Sequence, residues 1–141
     1  MKLARFSAIF ALVLAASCDS PSKRNRIEIN GAVSYAGQPI EKGEIVFEPV
    51  STGIPMATGQ IREGKFEIDA KDGPSVGSYI VRVEGYRKKH DPTAKKHPYA
   101  AGNQEVGVTT EQFLPAKHNV ESTLTVEITR EGENVHNFDL K

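Results

Sequence analysis

From Ile27 onward the apolar residues of this chain recur at every second position. That period admits half-buried strands and excludes amphipathic helices, whose apolar face returns at a spacing of ~3.6. Ile27, Ile29, Val33 and Tyr35 share one parity, interrupted by Gly31, and predict a first strand. Ala36-Gly37-Gln38-Pro39 is turn chemistry, because Gly tolerates positive φ and Pro presets φ near −65°. Glu44 to Glu48 predict a second strand stopped by Pro49, and Met56 to Ile61 a third. Arg62-Glu63-Gly64-Lys65 turns the chain into a fourth, Phe66 to Asp69, and Lys71 to Gly77 is a Gly/Pro loop. Ser78 to Tyr86 form the clearest strand, with Tyr79, Val81 and Val83 on one side and Ile80, Arg82 and Glu84 on the other. Residues 87–121 read as a long, polar, irregular stretch. The chain then closes with a predicted hairpin, Leu124 to Thr129 and Val135 to Leu140, turning at Arg130 to Asn134.

Seven short strands separated by turns, with 12 Gly and 8 Pro and no long helical window outside the N-terminus, indicate an all-β sandwich or barrel. The inward-facing set is Ile29, Val33, Ile45, Phe47, Ile61, Phe66, Ile68, Tyr79, Val81, Val83, Leu124, Val126, Ile128, Phe138 and Leu140.

The N-terminus reads as an address. Lys2 and Arg5 precede an almost wholly apolar run from Phe6 to Ala16, the secretory pattern. This run is too short to span a ~30 Å hydrocarbon core. The sole cysteine, Cys18, follows Leu14 and the small residues Ala15, Ala16 and Ser17. The segment resembles a bacterial lipobox, with Ala15 where Leu is commoner. The resemblance implies cleavage before a diacylglyceryl-modified Cys18. The expected organisation is a lipoprotein signal peptide at 1–17, a flexible polar tether at 18–26, and one domain at 27–141. An acylated chain is held on a membrane by ~0.8 kcal/mol per buried CH₂.

Composition narrows the classes. Eighteen Lys+Arg balance 18 Asp+Glu, which argues against a nucleic-acid binder. One Cys excludes an intrachain disulfide and a Cys-cluster metal site.

Gly31-Ala-Val-Ser-Tyr-Ala-Gly-Gln-Pro-Ile40 followed by Gly43-Glu-Ile-Val-Phe-Glu-Pro49 resembles the opening of transthyretin-like, carboxypeptidase regulatory-like domains. Gly64-Lys-Phe-Glu-Ile68 and Gly77-Ser-Tyr-Ile-Val-Arg-Val83 resemble their central strands. The chain also resembles small bacterial lipoproteins built from one such domain, which carry a segment like Leu114-Pro-Ala-Lys-His-Asn119. The resemblance covers 27–141 and implies a seven-stranded Greek-key β-sandwich. Its matched residues are turn formers and core residues, and a fold alone assigns no activity.

Candidate chemistry is sparse. His90 and His97 sit among Lys88, Lys89, Lys95 and Lys96, which repel a cation, so no metal site is expected. The hydrolase of oxidised purine products on this fold has an early-strand His and a Tyr-Arg-Gly-Ser tail. This chain has its first His at position 90 and ends Phe138-Asp-Leu-Lys141. Ser51, Ser75, Ser78 and Ser122 lack a nucleophile-elbow context. No catalytic residue and no cofactor are expected. The most distinctive polar feature is the basic stretch with its bordering tyrosines: Tyr86, Arg87, Lys88, Lys89, Lys95, Lys96 and Tyr99 form the candidate binding loop. The sequence therefore predicts an exported, lipid-anchored, non-catalytic module of structural or adhesive role, on the periplasmic or extracellular side, contacting an envelope protein or polysaccharide. The alternative is a carbohydrate or other small-ligand binder using residues 86–119.

Overall fold

The computed structural model describes residues 25–90 and 108–141, and these contain nine strands and a single 3-10 turn at Ala116–His118. The strands are β1 (Ile29–Tyr35), β2 (Gln38–Pro39), β3 (Lys42–Pro49), β4 (Ala57–Arg62), β5 (Lys65–Ile68), β6 (Gly77–His90), β7 (Val108–Gln112), β8 (Thr125–Ile128) and β9 (Phe138–Leu140).

Two tight turns set the register of the first half. Ala36 and Gly37 (φ 49° and 77°) join β1 to β2, and Glu63 and Gly64 (φ 51° and 75°) join β4 to β5. Two successive positive φ values give the turn whose twist matches that of the flanking strands. The strands pair in the order β2-β1-β5-β4-β3-β6-β7, antiparallel throughout, as one curled sheet. The curl brings its two ends together at Tyr35, whose ring lies 6.1 Å from Phe113 and 5.7 Å from His118.

β6 changes partner along its length. β3 runs along it from Tyr79 to Gly85, while β8 takes Gly77 to Ile80 and β7 takes Tyr86 to His90. Ser122 fills the gap between these two partners: its hydroxyl donates to Val81 O at 2.5 Å and accepts from Leu124 N at 3.3 Å.

The alternating strands bury one face. Of the predicted inward set, all are buried except Leu124, Val126 and Phe138, which pack half-buried against the rest; Ile40, Ala57 and Leu114 join them. Phe47 lies at the centre, 5.9 Å from Phe66, 6.5 Å from Tyr79 and 6.5 Å from Phe138, distances at which aromatic pairs add to the burial of area. Tyr79 is fully buried, and its hydroxyl both accepts from Ser75 N and donates to Ser75 O at 3.0 Å. That pair satisfies the phenol and ties the Gly/Pro loop to the core; burial pushes the phenol pKa up.

Three sequence expectations are corrected. The closing hairpin does not form: β8 pairs with β6, and β9 runs parallel to β1, with Val33 opposite Phe138. Gly31 makes this docking possible, since a Cβ there would lie 1.7 Å from His136 O. The stretch 87–121 is not irregular throughout: Arg87, Lys88, Lys89 and His90 continue β6 and pair with β7, and residues 91–107 lie outside the described residues. The strands number nine among the described residues, not seven. Alternation read from one strand cannot reveal which strand lies beside it, and that decides all three.

Candidate functional site

The outer face of the sheet carries the functional groups, and the strand registers arrange them in rows. Nearest the turns, Lys42 on β3 lies opposite Arg62 on β4, Arg62 lies opposite Lys65 on β5, and Lys65 lies opposite Ala32 on β1. One row in, Glu84 lies opposite Glu44, and Glu44 opposite Gln60, whose amide donates to Glu44 at 3.4 Å. Beyond these, Arg82 donates to Glu48 at 2.5 Å, and its Nη1 donates to the carbonyls of Asn119 at 2.8 Å and Val120 at 2.7 Å.

Two clefts open on this face and share Gln60 and Arg62. One of about 690 Å³ is lined by Asn30, Arg62, Lys65, Glu67 and Asn137 among others. The second, of about 560 Å³, is lined by Glu41, Lys42, Glu63, Tyr86 and Thr110 among others. Asn137 is fixed in place because its Oδ1 accepts from Ala32 N at 3.0 Å.

Of the sequence-predicted binding residues, Tyr86 faces the second cleft and donates its hydroxyl to Glu84. That hydrogen bond, with burial, pushes its pKa up to about 12, so the phenol is a fixed donor and not a base. Arg87 and Lys89 share one partner on β7: both reach Glu111, at 2.7 Å and 3.1 Å, and hold its carboxyl below the usual carboxylate range. The Arg87 guanidinium also sits over the Phe113 ring at 5.5 Å, a cation–π distance. Lys88 lies opposite Thr110. Lys95, Lys96, Tyr99 and Cys18 fall outside the described residues.

The described residues hold no group of three or more His, Cys, Asp or Glu side chains able to bind a metal ion, and no helix among them is long and apolar enough to cross a membrane. The clefts carry amides, cations and carboxylates suited to hydrogen bonding and charge pairing with a polar ligand.

The sequence reading missed Lys42, Arg62 and Lys65. Period two marks each as outward-facing, and the tight turn places Arg62 beside Lys65; the register that adds Lys42 comes only with the β3–β4 pairing.

No family model matches the chain, and no curated protein sequence matches it. Among solved structures it is similar to a 9R-lipoxygenase from Cyanothece PCC8801, at 14% identity and a TM-score of 0.31, over 94% of this chain and 18% of the lipoxygenase. The chain thus spans less than a fifth of that enzyme, and a likeness this weak carries no conclusion about fold family or activity.

Proposed function

We propose that the protein is an exported, non-catalytic recognition module, anchored through lipid on Cys18 and built as a Greek-key sandwich of the transthyretin-like type. It presents its polar face to an envelope protein or polysaccharide. One observation carries the display geometry. The segment bearing Cys18 joins the domain at Asn25 and Arg26, where Arg130 hydrogen-bonds Asn25, Arg26 bridges to Ser75, and Ile27 N donates to Pro74 O at 2.8 Å. This is the Gly77 end of β6. The second cleft lies toward the other end, at the level of Tyr86, and the first extends from Arg62 and Lys65 to Asn30 on β1. Along the chain into β1, the entry at Arg26 and Ala32, which lies opposite Lys65, are six residues apart, roughly 20 Å at ~3.3 Å per residue. A lipid at Cys18 would thus tether one end and leave the other facing away from the membrane.

Intact mass and membrane fractionation of the wild type beside Cys18→Ala test the anchor. The expected result is a diacyl or triacyl increment on a chain beginning at Cys18, lost in the variant together with membrane association. A soluble, unmodified wild type contradicts it, and would leave a diffusible small-ligand binder.

A further inference from the structure

We infer that the row Lys42–Arg62–Lys65 binds an acidic polysaccharide, a glycan bearing carboxylate or sulfate groups along its length. The inference deepens the proposed function and rests on that reading of the outer face as a recognition surface.

Three cations occupy directly opposed positions on three neighbouring strands. Like charges placed opposite one another destabilise a sheet. Elsewhere strand cations have carboxylate partners: Arg82 pairs with Glu48, and Arg87 and Lys89 share Glu111. Among the described residues no carboxylate comes within 4.0 Å of Lys42, Arg62 or Lys65. Their charge is left for something outside the domain, at a cost to folding, which is the pattern expected where function opposes stability.

The surroundings select the ligand. With strands ~4.8 Å apart, the row spans roughly 10 Å, so it meets several anionic groups in sequence and not one compact anion. Gln60 and Asn137 beside the row present amides, and Glu41, Glu63 and Glu67 at the cleft rims present acceptors. Amides and acceptors suit hydroxyls, and the rim carboxylates confine the positive potential to the row. A chain alternating anionic groups with hydroxyls fits; a uniformly charged surface meets the carboxylates as well. The anchoring membrane is disfavoured as the source of the anions, because the row lies at the end of the domain remote from Asn25.

The test uses the full-length chain purified in nonionic detergent, with polygalacturonate and heparin as acidic probes and dextran as the neutral one. The wild type is expected to bind the acidic probes and not dextran, and to release them as salt screens the contacts. Lys42→Gln/Arg62→Gln/Lys65→Gln is expected to weaken binding by about ten- to a hundredfold, the combined effect of three surface ion contacts. Its melting temperature should stay level or rise, because the substitutions remove repulsion. Arg87→Gln/Lys88→Gln/Lys89→Gln should bind as the wild type does. Unchanged binding in the first variant, or loss only in the second, overturns the assignment. So does row-dependent capture by vesicles of one part phosphatidylglycerol to three of phosphatidylcholine, above capture by phosphatidylcholine alone, without binding to the glycans. If no acidic probe binds but a photo-cross-linking benzophenone amino acid placed at position 63 still captures an envelope product in cells, the polysaccharide assignment falls and the recognition reading stands. Absence of both removes both.

Discussion

Arg82 on β6 donates its Nε hydrogen to Glu48 on β3 at 2.5 Å while its Nη1 holds two carbonyls of the segment after the 3-10 turn, those of Asn119 and Val120. One half-buried guanidinium thereby fastens the irregular stretch between β7 and β8 to the outer face. Arg82→Met keeps most of the apolar stem and removes every one of these bonds. It should cost about 1–3 kcal/mol, the penalty for stranding partly buried acceptors and a carboxylate. Urea unfolding should show a lower midpoint at unchanged slope; an unchanged midpoint would mean the segment is held by other contacts.

Ser122 tests the same segment from the buried side. Its hydroxyl substitutes for the missing strand neighbour of Val81, donating to that carbonyl. Ser122→Ala leaves the carbonyl without this donor and is expected to destabilise by about 1–3 kcal/mol. Amide hydrogen exchange should quicken at Leu124, whose N–H donates to the same hydroxyl at 3.3 Å. Exchange at wild-type rates there would contradict this.

Gly31 and Gly37 separate two reasons for glycine. At Gly31 a Cβ would lie 1.7 Å from His136 O, so Gly31→Ala must lift the segment leading into β9 off β1. The expected loss is upward of ~3 kcal/mol, among the larger single-substitution effects. At Gly37 nothing lies within 4 Å of the added atom, and only φ of +77° opposes it. Gly37→Ala should cost about 1 kcal/mol. Thermal melts of the pair check the order, and equal losses would remove the explanation.

His136 gives the protein a pH dependence. Burial lowers its pKa from the ordinary 6.5, its Nε2 is buried without a hydrogen-bond partner, and its ring stacks on Phe138 at 6.4 Å. The unfolded chain takes up a proton near pH 6.5 and the folded chain only at lower pH. This group therefore leaves stability flat above about 6.5 and subtracts from it as pH falls from there to the folded pKa. His136→Phe should flatten that part of the melting-temperature profile. Parallel profiles for the two proteins would show that the ring does not titrate differently on folding.

Much of the fold is legible in the sequence, for local reasons. The alternation at Tyr79, Val81 and Val83 marks a buried face because period two is a property of one strand, and Glu63-Gly64 marks its turn because two residues carry it. What is not legible depends on pairing. Nothing local tells Phe138 to run parallel to Val33, or Lys88 to meet Thr110 in a ladder. The site follows the same division: Tyr86 stands out by its setting, whereas the Lys42–Arg62 pairing brings together residues twenty positions apart.

The proposed recognition at the end of the domain remote from the tether is checked by photo-cross-linking in intact cells. A benzophenone amino acid is placed at Glu63, on the rim of the second cleft, or at Ser75, beside the point where the tether joins. A cross-linked envelope product is expected from position 63 and none from position 75. Products from position 75 alone, or from neither position, would contradict it.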